Sequence, residues 1–155
     1  MSPELSTFLL GASPIGENRL AIPWGMTVGG LSAAETFFWA VLGNILAVVL
    51  ITFLLTPVTN FARKNWPWLD RFFEKLFKKT RHKHSHRFNR WGALFLIFFV
   101  AIPLPGSGGH TGAMVAWLFG VPPKVAIPLV ALGVILAGVI VLGITTGAIT
   151  LVGLL

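Results

Sequence analysis

Two ionisable residues, Glu17 and Arg19, are separated by a single residue in a stretch of the chain that is otherwise mostly apolar. An ionisable side chain in an apolar surrounding is costly, so it is usually paired and is a functional candidate by default. The Arg19 guanidinium can bind a carboxylate or a phosphate through two parallel hydrogen bonds. The Glu17 carboxylate can accept a proton or hold Arg19 in place. A structural salt bridge explains the same pattern equally well, so both interpretations stay open.

A second candidate site is the glycine-rich segment 106–112, in which His110 is the one titratable residue. A neutral imidazole can relay protons and a charged one can bind an anion, while Ser107, Thr111 and the glycine amides are further donors. The segment lacks both the Gly-Lys-Ser/Thr end of a Walker A loop and the third glycine of a dinucleotide fingerprint, so nothing supports nucleotide binding. A hairpin turn with a solvated histidine is an equally good interpretation.

The composition of the 155-residue chain indicates an integral membrane protein. Hydrophobic residues make up 55% of it and charged residues 11%, with a mean hydropathy of +0.81. Soluble domains contain about 25% charged residues. The chain is too apolar for a soluble globule and too short for more than one domain, which argues strongly against a soluble enzyme. Because it has no cysteine, we expect no disulfide. We also expect no enzymatic activity, no metal site and no cofactor other than a proton or ion gradient.

The net charge of +7 is concentrated in one segment. Residues 63–90 contain ten basic and two acidic side chains, while the rest of the chain carries a net charge of −1. Apolar residues at 69, 72, 73, 76 and 77 have the spacing of an amphipathic helix. We therefore predict a basic amphipathic connector helix at 61–90 that contacts anionic lipid headgroups and no nucleic acid. The histidines at 82, 84 and 86 fit a solvated turn better than a metal site, because carboxylate and cysteine partners are lacking.

Two uncharged runs predict transmembrane helices. The run at 36–56 reaches about 30 Å as a helix, which matches the hydrocarbon core, and Pro57 is expected to end it. The run after Lys124 predicts a second span at 124–147, beyond which the chain tilts, bends or lies at the surface. Since the basic connector follows the first span, the positive-inside rule puts 61–90 in the cytoplasm and both termini outside.

Two further apolar regions, 5–34 and 91–121, are interrupted by prolines and glycines. The pieces beside each interruption are about 10 to 15 residues long, too short to cross a bilayer but suited to a re-entrant hairpin. The order hairpin, span, connector, hairpin, span forms an inverted repeat, which points to a transport site near the membrane midplane. A bundle of four full spans with kinked helices is the alternative. Either architecture encloses little interior, so we expect a homo-oligomer such as a dimer.

Small residues spaced four apart predict close packing between helices. Three such stripes occur, at Gly30 and Ala34, at Gly112, Ala116 and Gly120, and at Gly143 and Gly147. We interpret them as packing surfaces and not as ligand contacts.

These motifs resemble those of the small multi-drug export protein family of bacteria and archaea. Its members share a Glu-x-Arg-x-Ala-Ile-Pro element, a Leu-Gly-Asn in the next helix, and an Ala-Ile-Pro-Leu-Pro-Gly-[Thr/Ser]-Gly loop before a Thr-Gly-Ala helix. The matching residues here are Glu17, Arg19, Ala21 to Pro23, Leu42 to Asn44, Ala101 to Gly108, and Thr111 to Ala113. The family usually has glycine at the position of Leu20 and a bulky aromatic residue at that of His110, so the resemblance implies no role for His110.

The family is in turn similar to the DedA, or VTT-domain, membrane proteins, which have paired re-entrant hairpins in an inverted arrangement and include lipid-phosphate carriers. The resemblance implies an all-α DedA-like fold in the inner membrane of a prokaryote. It also favours a polyprenyl or lipid substrate, although likeness of fold alone does not determine a substrate.

Three functional hypotheses follow. The first is a transporter or flippase of an anionic amphiphile, such as a polyprenyl or lipid phosphate, in which Arg19 binds the anion and Glu17 gates or couples to protons. The second is a proton-coupled exporter of cationic drugs that uses Glu17, although Arg19 would repel a cation and keep the acid ionised. The third is a non-transporting membrane-shaping or assembly protein. The candidate substrate-binding or coupling residues are Glu17, Arg19, Pro23, Asn44, Pro103, Pro105, Gly106, Ser107, Gly108, His110 and Thr111.

Overall fold

The computed structural model describes residues 1–66, 71, 92–104 and 106–153, and none of these residues forms a strand. Within them lie six helices, α1 Pro3–Ala12, α2 Glu17–Thr27, α3 Ala33–Asn65, α4 Ala93–Ala101, α5 Gly109–Leu118 and α6 Pro123–Gly153. The predicted amphipathic helix, its cluster of histidines and Pro105 lie outside the described residues.

Two of these helices, α3 and α6, are long and apolar enough to cross a membrane. They have 33 and 31 residues, so each exceeds the hydrocarbon thickness of about 30 Å. Large apolar side chains are exposed along both, including Phe53 and Leu50 on α3 and Val139 and Ile144 on α6. Such a surface is unfavourable in water and favourable in lipid. The chain is therefore a helical protein with two candidate transmembrane helices.

Proline positions explain one error in the sequence analysis. We expected Pro57 to end the first span, but α3 continues through it to Asn65. Proline removes one backbone donor and fixes φ near the helical value, so a helix that is supported by its neighbours can contain it. The same holds for Pro23 in α2 and Pro128 in α6. In the first apolar region the break between α1 and α2 lies at residues 13–16, which include Pro14 and Gly16, and α2 continues through Pro23.

The remaining four helices form two hairpins. In hairpin 1, α1 and α2 are joined by loop 1, residues 13–16; in hairpin 2, α4 and α5 are joined by loop 2, residues 102–108. Each of these helices has between 9 and 11 residues, a length on the order of 15 Å, about half the hydrocarbon thickness.

The hairpins pack against both long helices. Helix α1 packs on α3 and α4 packs on α6, while α2 also contacts α6 and α5 also contacts α3. Close approach requires glycine: a Cβ on Gly43 would overlap the Phe8 carbonyl oxygen, and one on Gly133 would lie 2.9 Å from the Ile97 carbonyl oxygen. These two glycines occupy equivalent places, because α3 and α6 start 90 residues apart, as do α1 and α4.

Helices α3 and α6 run antiparallel. Gly138 of α6 lies against Val41 of α3, whereas Val134, one turn earlier, lies with Val48 beside Gly109 of α5. Each hairpin connects directly to the start of the long helix that follows it. The two hairpins therefore point towards each other from opposite ends of the molecule, and their loops meet where α3 and α6 cross.

The predicted small-residue stripes divide into two groups. Gly112 packs against Val100 and Val130, as its stripe predicts. In contrast, a Cβ on Gly30, Gly143 or Gly147 would meet nothing within 4 Å in the part of the chain that is described. The prediction that these three glycines form packing surfaces is therefore wrong for contacts within the described chain.

Candidate functional site

Loops 1 and 2 bring together a buried cluster of polar side chains. Glu17 and His110 are 6% and 7% exposed, although they belong to different hairpins. The Arg19 side chain is 31% exposed and lies at the edge of this cluster. Both regions that the sequence analysis singled out for chemistry therefore meet in one site.

Glu17 begins α2 in an unusual backbone conformation. Its φ of +47° lies in the left-handed region, which costs a residue other than glycine about 1 kcal/mol or more. The carboxylate makes contacts that offset this strain: the backbone N–H of His110 donates to Oε1 over 3.3 Å, and His110 Nδ1 lies 2.8 Å from the same oxygen. Backbone strain of this kind is concentrated at functional sites.

The partners of His110 determine how many protons the pair holds. Nε2 lies 3.1 Å from the Ala12 carbonyl oxygen, and because a carbonyl can only accept, Nε2 must carry a proton. Nδ1 faces a Glu17 oxygen at 2.8 Å, a distance that requires a second proton between the two atoms. The pair is therefore either an imidazolium with a carboxylate or a neutral imidazole with a carboxylic acid. Loss of one proton leaves a neutral imidazole with a single N–H, which can donate to Glu17 or to the Ala12 carbonyl but not to both.

Arg19 links the two loops on the other side of Glu17. Its Nη2 lies 3.6 Å from Glu17 Oε2 and donates to the Ser107 carbonyl oxygen over 2.6 Å. The first contact is an ion pair and the second is a charge-assisted hydrogen bond. Arg19 thus holds loop 2 against hairpin 1 while part of its side chain stays exposed.

Ser107 shapes loop 2 from inside. Its hydroxyl lies 2.6 Å from the Ile102 carbonyl oxygen and 2.9 Å from that of Leu104, and it accepts from the Leu104 N–H over 3.1 Å. Gly106 has a φ of +84°, which favours glycine because no Cβ is present to clash. These features fix the loop so that the Ser107 carbonyl points at Arg19.

Two consecutive glycines let the loops approach each other. A Cβ on Gly108 would overlap the Glu17 carboxylate, and one on Gly109 would overlap Oδ1 of Asn44. A side chain at either position would displace the Glu17 carboxylate or the Asn44 amide from its place in the site.

A cavity of about 10 Å³ lies at the centre of the site, which is room for roughly one water molecule. Asn18 and Asn44 line it, each is 2% exposed, and the Oδ1 of each has no hydrogen-bond partner. Asn18 Nδ2 donates to the Val134 carbonyl oxygen over 2.9 Å. Two unpaired buried acceptors are unfavourable unless a donor enters the cavity. In this conformation the centre is closed to anything larger than water.

The other candidate residues differ in whether they line this cavity. Pro103 lines the cavity with Ser107 and Gly108. Pro23 lies in α2 about 9 Å along the axis from Glu17 and does not line the cavity. Thr111 is partly buried. Asn18 also lines the cavity and was not predicted. Its position between Glu17 and Arg19 was the available signal, but its side chain carries no charge.

A group of three or more side chains able to hold a metal ion does not occur among the described residues. The arrangement can instead hold or release a proton at the Glu17–His110 contact, and it presents a cation, Arg19, at its edge. Both are properties that a coupled binding site needs.

Comparison with known proteins gives one match. A family model described as "Putative small multi-drug export protein" matches residues 17–140, from the cluster of loop 1 to the middle of α6. No curated protein and no solved structure matches the chain. The matched range covers most of the 155 residues and includes all candidate site residues. The chain therefore belongs to the small multi-drug export protein family.

Proposed function

We propose that the protein is a secondary transporter that moves an anionic amphiphile, such as a polyprenyl or lipid phosphate, across the inner membrane of a prokaryote. The observation that carries this proposal is the charge of the buried cluster. Arg19 is always positive, Glu17 is negative or neutral, and His110 is neutral or positive, so the cluster is neutral or positive in every protonation state. Such a site favours an anion over a cation.

The proposed coupling uses the proton between Glu17 and His110. While this proton is present, the 2.8 Å contact is attractive and the loops stay together. When one proton leaves, the neutral imidazole donates from only one nitrogen, so His110 loses its hydrogen bond either to Glu17 or to the Ala12 carbonyl, and hairpin 1 holds loop 2 less tightly. Separation of the loops would also pull Arg19 from the Ser107 carbonyl, leaving its guanidinium available for a phosphate. Proton release and anion binding are coupled in this way.

The proposed membrane arrangement is a DedA-like inverted repeat in which the hairpins are re-entrant. It is supported by the short hairpin helices and by the antiparallel α3 and α6, which give the two hairpins opposite directions. Loops that meet inside the molecule fit a transport site near the midplane. We further propose that the connector is cytoplasmic and contacts anionic lipids, that both termini are outside, and that the protein forms a homo-oligomer.

The test is reconstitution in proteoliposomes with a fluorescent polyprenyl phosphate whose outer-leaflet population is quenched chemically. We expect the purified protein to speed movement between leaflets over empty liposomes and Arg19→Ala to abolish this gain. Lys64→Ala removes one positive charge from the exposed end of α3 and is the matched control. The proposal would be contradicted if the polyprenyl phosphate moved between leaflets no faster than in empty liposomes. It would also be contradicted if the rate of movement were the same in Arg19→Ala as in the parent protein.

The family description favours a second candidate, a proton-coupled exporter of drugs. In that case Glu17 alone would exchange a proton for a cationic substrate. Efflux of a cationic dye from the same proteoliposomes, driven by a pH gradient and lost in Glu17→Gln but not in Arg19→Ala, would select this candidate.

A further inference from the structure

Two adjoining cavities lie far from the Glu17–His110 contact, at the end of α3 that precedes the connector. The first has a volume of about 350 Å³ and is lined by α3 and by the turn between α5 and α6. The second has a volume of about 490 Å³ and is lined by Phe53 and by the start of α6. They share Pro122 and Pro123. Arg63, in the first cavity, lies about 28 Å along α3 from Asn44, so this region is separate from the central site.

One wall of the first cavity, formed by α3, carries polar side chains. Arg63 and Asn60 line it with three threonines of α3. The Thr56 hydroxyl accepts a hydrogen bond from Trp117 Nε1 over 3.2 Å. The Thr52 and Thr59 hydroxyls donate to the Val48 and Leu55 carbonyl oxygens. The guanidinium of Arg63 and the carboxamide of Asn60 are donors on this wall that suit phosphate oxygens.

The second cavity is apolar except at one position. Phe53, Ile127 and Pro128 form its walls, and Lys124 stands among them as the one charged residue. Phe53 is 60% exposed, so its ring offers an apolar surface to an aliphatic chain. The Lys124 ammonium can reach a phosphate while its methylene groups stay on the apolar wall.

We propose that these cavities together bind one molecule of an amphiphile with an anionic phosphate headgroup. The phosphate lies in the first cavity beside Arg63, near where this cavity adjoins the second one and its Lys124, and the hydrocarbon chain lies in the second cavity. Both cavities have the size of small-molecule sites. A phosphate monoester lipid and a polyprenyl phosphate share this chemistry. Binding at this site does not require transport, so an experiment can contradict the binding site without contradicting the proposed function, and the reverse.

The test is photocrosslinking of the full chain in lipid nanodiscs. The probe is phosphatidic acid that carries a diazirine on its acyl chain, and labelled peptides are identified by mass spectrometry. We expect the label on peptides that contain Phe53 and Ile127. Arg63→Gln should weaken labelling about tenfold, because a charge-assisted hydrogen bond is lost. The double variant with Lys124→Gln should reduce it further.

Lys64→Gln is the matched control, since Lys64 is the neighbouring cation on α3 and does not line either cavity. It should leave labelling unchanged, as should Arg19→Ala, which tests the transport site alone. Equal labelling by a diazirine phosphatidylcholine, or unchanged labelling in the Arg63→Gln, Lys124→Gln variant, would overturn the proposal. Competition with unlabelled polyprenyl phosphate or unlabelled phosphatidic acid then shows which source binds more tightly, and displacement by either supports the site.

Discussion

His110 of hairpin 2 is held at both ring nitrogens by hairpin 1, with Nδ1 2.8 Å from Glu17 Oε1 and Nε2 3.1 Å from the Ala12 carbonyl oxygen. The two partners come from the start of α2 and the end of α1, so the imidazole spans loop 1. This contact links the two hairpins, as does the hydrogen bond from Arg19 to the Ser107 carbonyl oxygen. It also depends on a proton, which makes the packing of the two loops responsive to protonation.

Glu17→Gln should abolish coupling to a pH gradient while the fold is kept. The amide is isosteric and can still accept the hydrogen bond from the His110 N–H, but it does not exchange a proton in the physiological range. We expect gradient-driven transport in proteoliposomes to fall to the background of empty liposomes, with the free energy of unfolding lowered by about 1 to 2 kcal/mol. Glu4→Gln, in the first turn of α1, is the control. Gradient-driven transport equal to that of the parent protein would contradict the coupling role.

His110→Phe should destabilise the protein. Phenylalanine keeps an aromatic ring, but it removes the imidazole contact to Glu17 Oε1 and leaves the Ala12 carbonyl without this donor. Loss of a partner from a buried polar group lowers stability by about 1 to 3 kcal/mol. The measurement is thermal unfolding in detergent. Met114→Phe, which adds a ring on an exposed face of the same helix, should change the midpoint little. A midpoint for His110→Phe at or above that of the parent would show that the bridge adds no stability.

The site was partly predictable because its residues carry their own signals. Glu17 and Arg19 are ionisable groups in an apolar stretch, and His110 lies in a glycine-rich segment, so each was found separately. Their contact was not predictable from spacing, since Glu17 and His110 are far apart in sequence and meet only because the hairpins point towards each other. The left-handed backbone of Glu17 left no trace in residue type.

The helix boundaries show where local reasoning fails. Pro57 is a strong local signal for a helix end, yet α3 continues through it because the neighbouring elements and the remaining backbone bonds support the helix.

Glycine spacing predicted only some of the close contacts between helices. A Cβ on Gly43 or Gly133 would crowd a neighbouring helix, whereas a Cβ on Gly143 or Gly147 would meet nothing within 4 Å in the described chain. Which glycine faces a neighbour depends on the packing of whole hairpins, and a four-residue repeat does not contain that information.

Gly108→Ala should separate the loops. The added Cβ would overlap the Glu17 carboxylate, and overpacking of a buried position costs about 1 to 3 kcal/mol. We expect a lower midpoint of thermal unfolding and loss of transport. Gly143→Ala is the matched control: it adds the same methyl group to α6, where nothing lies within 4 Å in the described chain. There the helix propensity of alanine should raise stability by up to about 1 kcal/mol. Equal midpoints for the two variants would show that the loops tolerate a side chain at Gly108.

Asn44→Leu and Asn18→Leu should have opposite effects on stability. The Asn44 Oδ1 is buried without a partner, and replacing an unsatisfied polar group by an apolar one of similar size is neutral or stabilising. Asn18 donates to the Val134 carbonyl, which also accepts the helical N–H of Gly138 within α6, so Asn18→Leu removes one hydrogen bond and should lower the free energy of unfolding by about 1 kcal/mol. If the central cavity serves transport, both variants should lose activity, and Asn44→Leu would separate activity from stability. Full activity in Asn44→Leu would remove the cavity from the mechanism.

Single cysteines should reveal the direction of each hairpin, because the natural chain has no cysteine and therefore no background labelling. Val28 follows α2, at the end of the molecule where α3 starts, and Val125 lies at the start of α6, at the opposite end. A membrane-impermeant maleimide should label Val28→Cys in intact cells and Val125→Cys only after permeabilisation. Ile15 in loop 1 is 89% exposed; in a re-entrant hairpin Ile15→Cys would face lipid and react slowly from both sides, since maleimides need a thiolate in water. Rapid labelling of Ile15→Cys from the cytoplasm would instead mean that α1 and α2 cross the membrane as full spans.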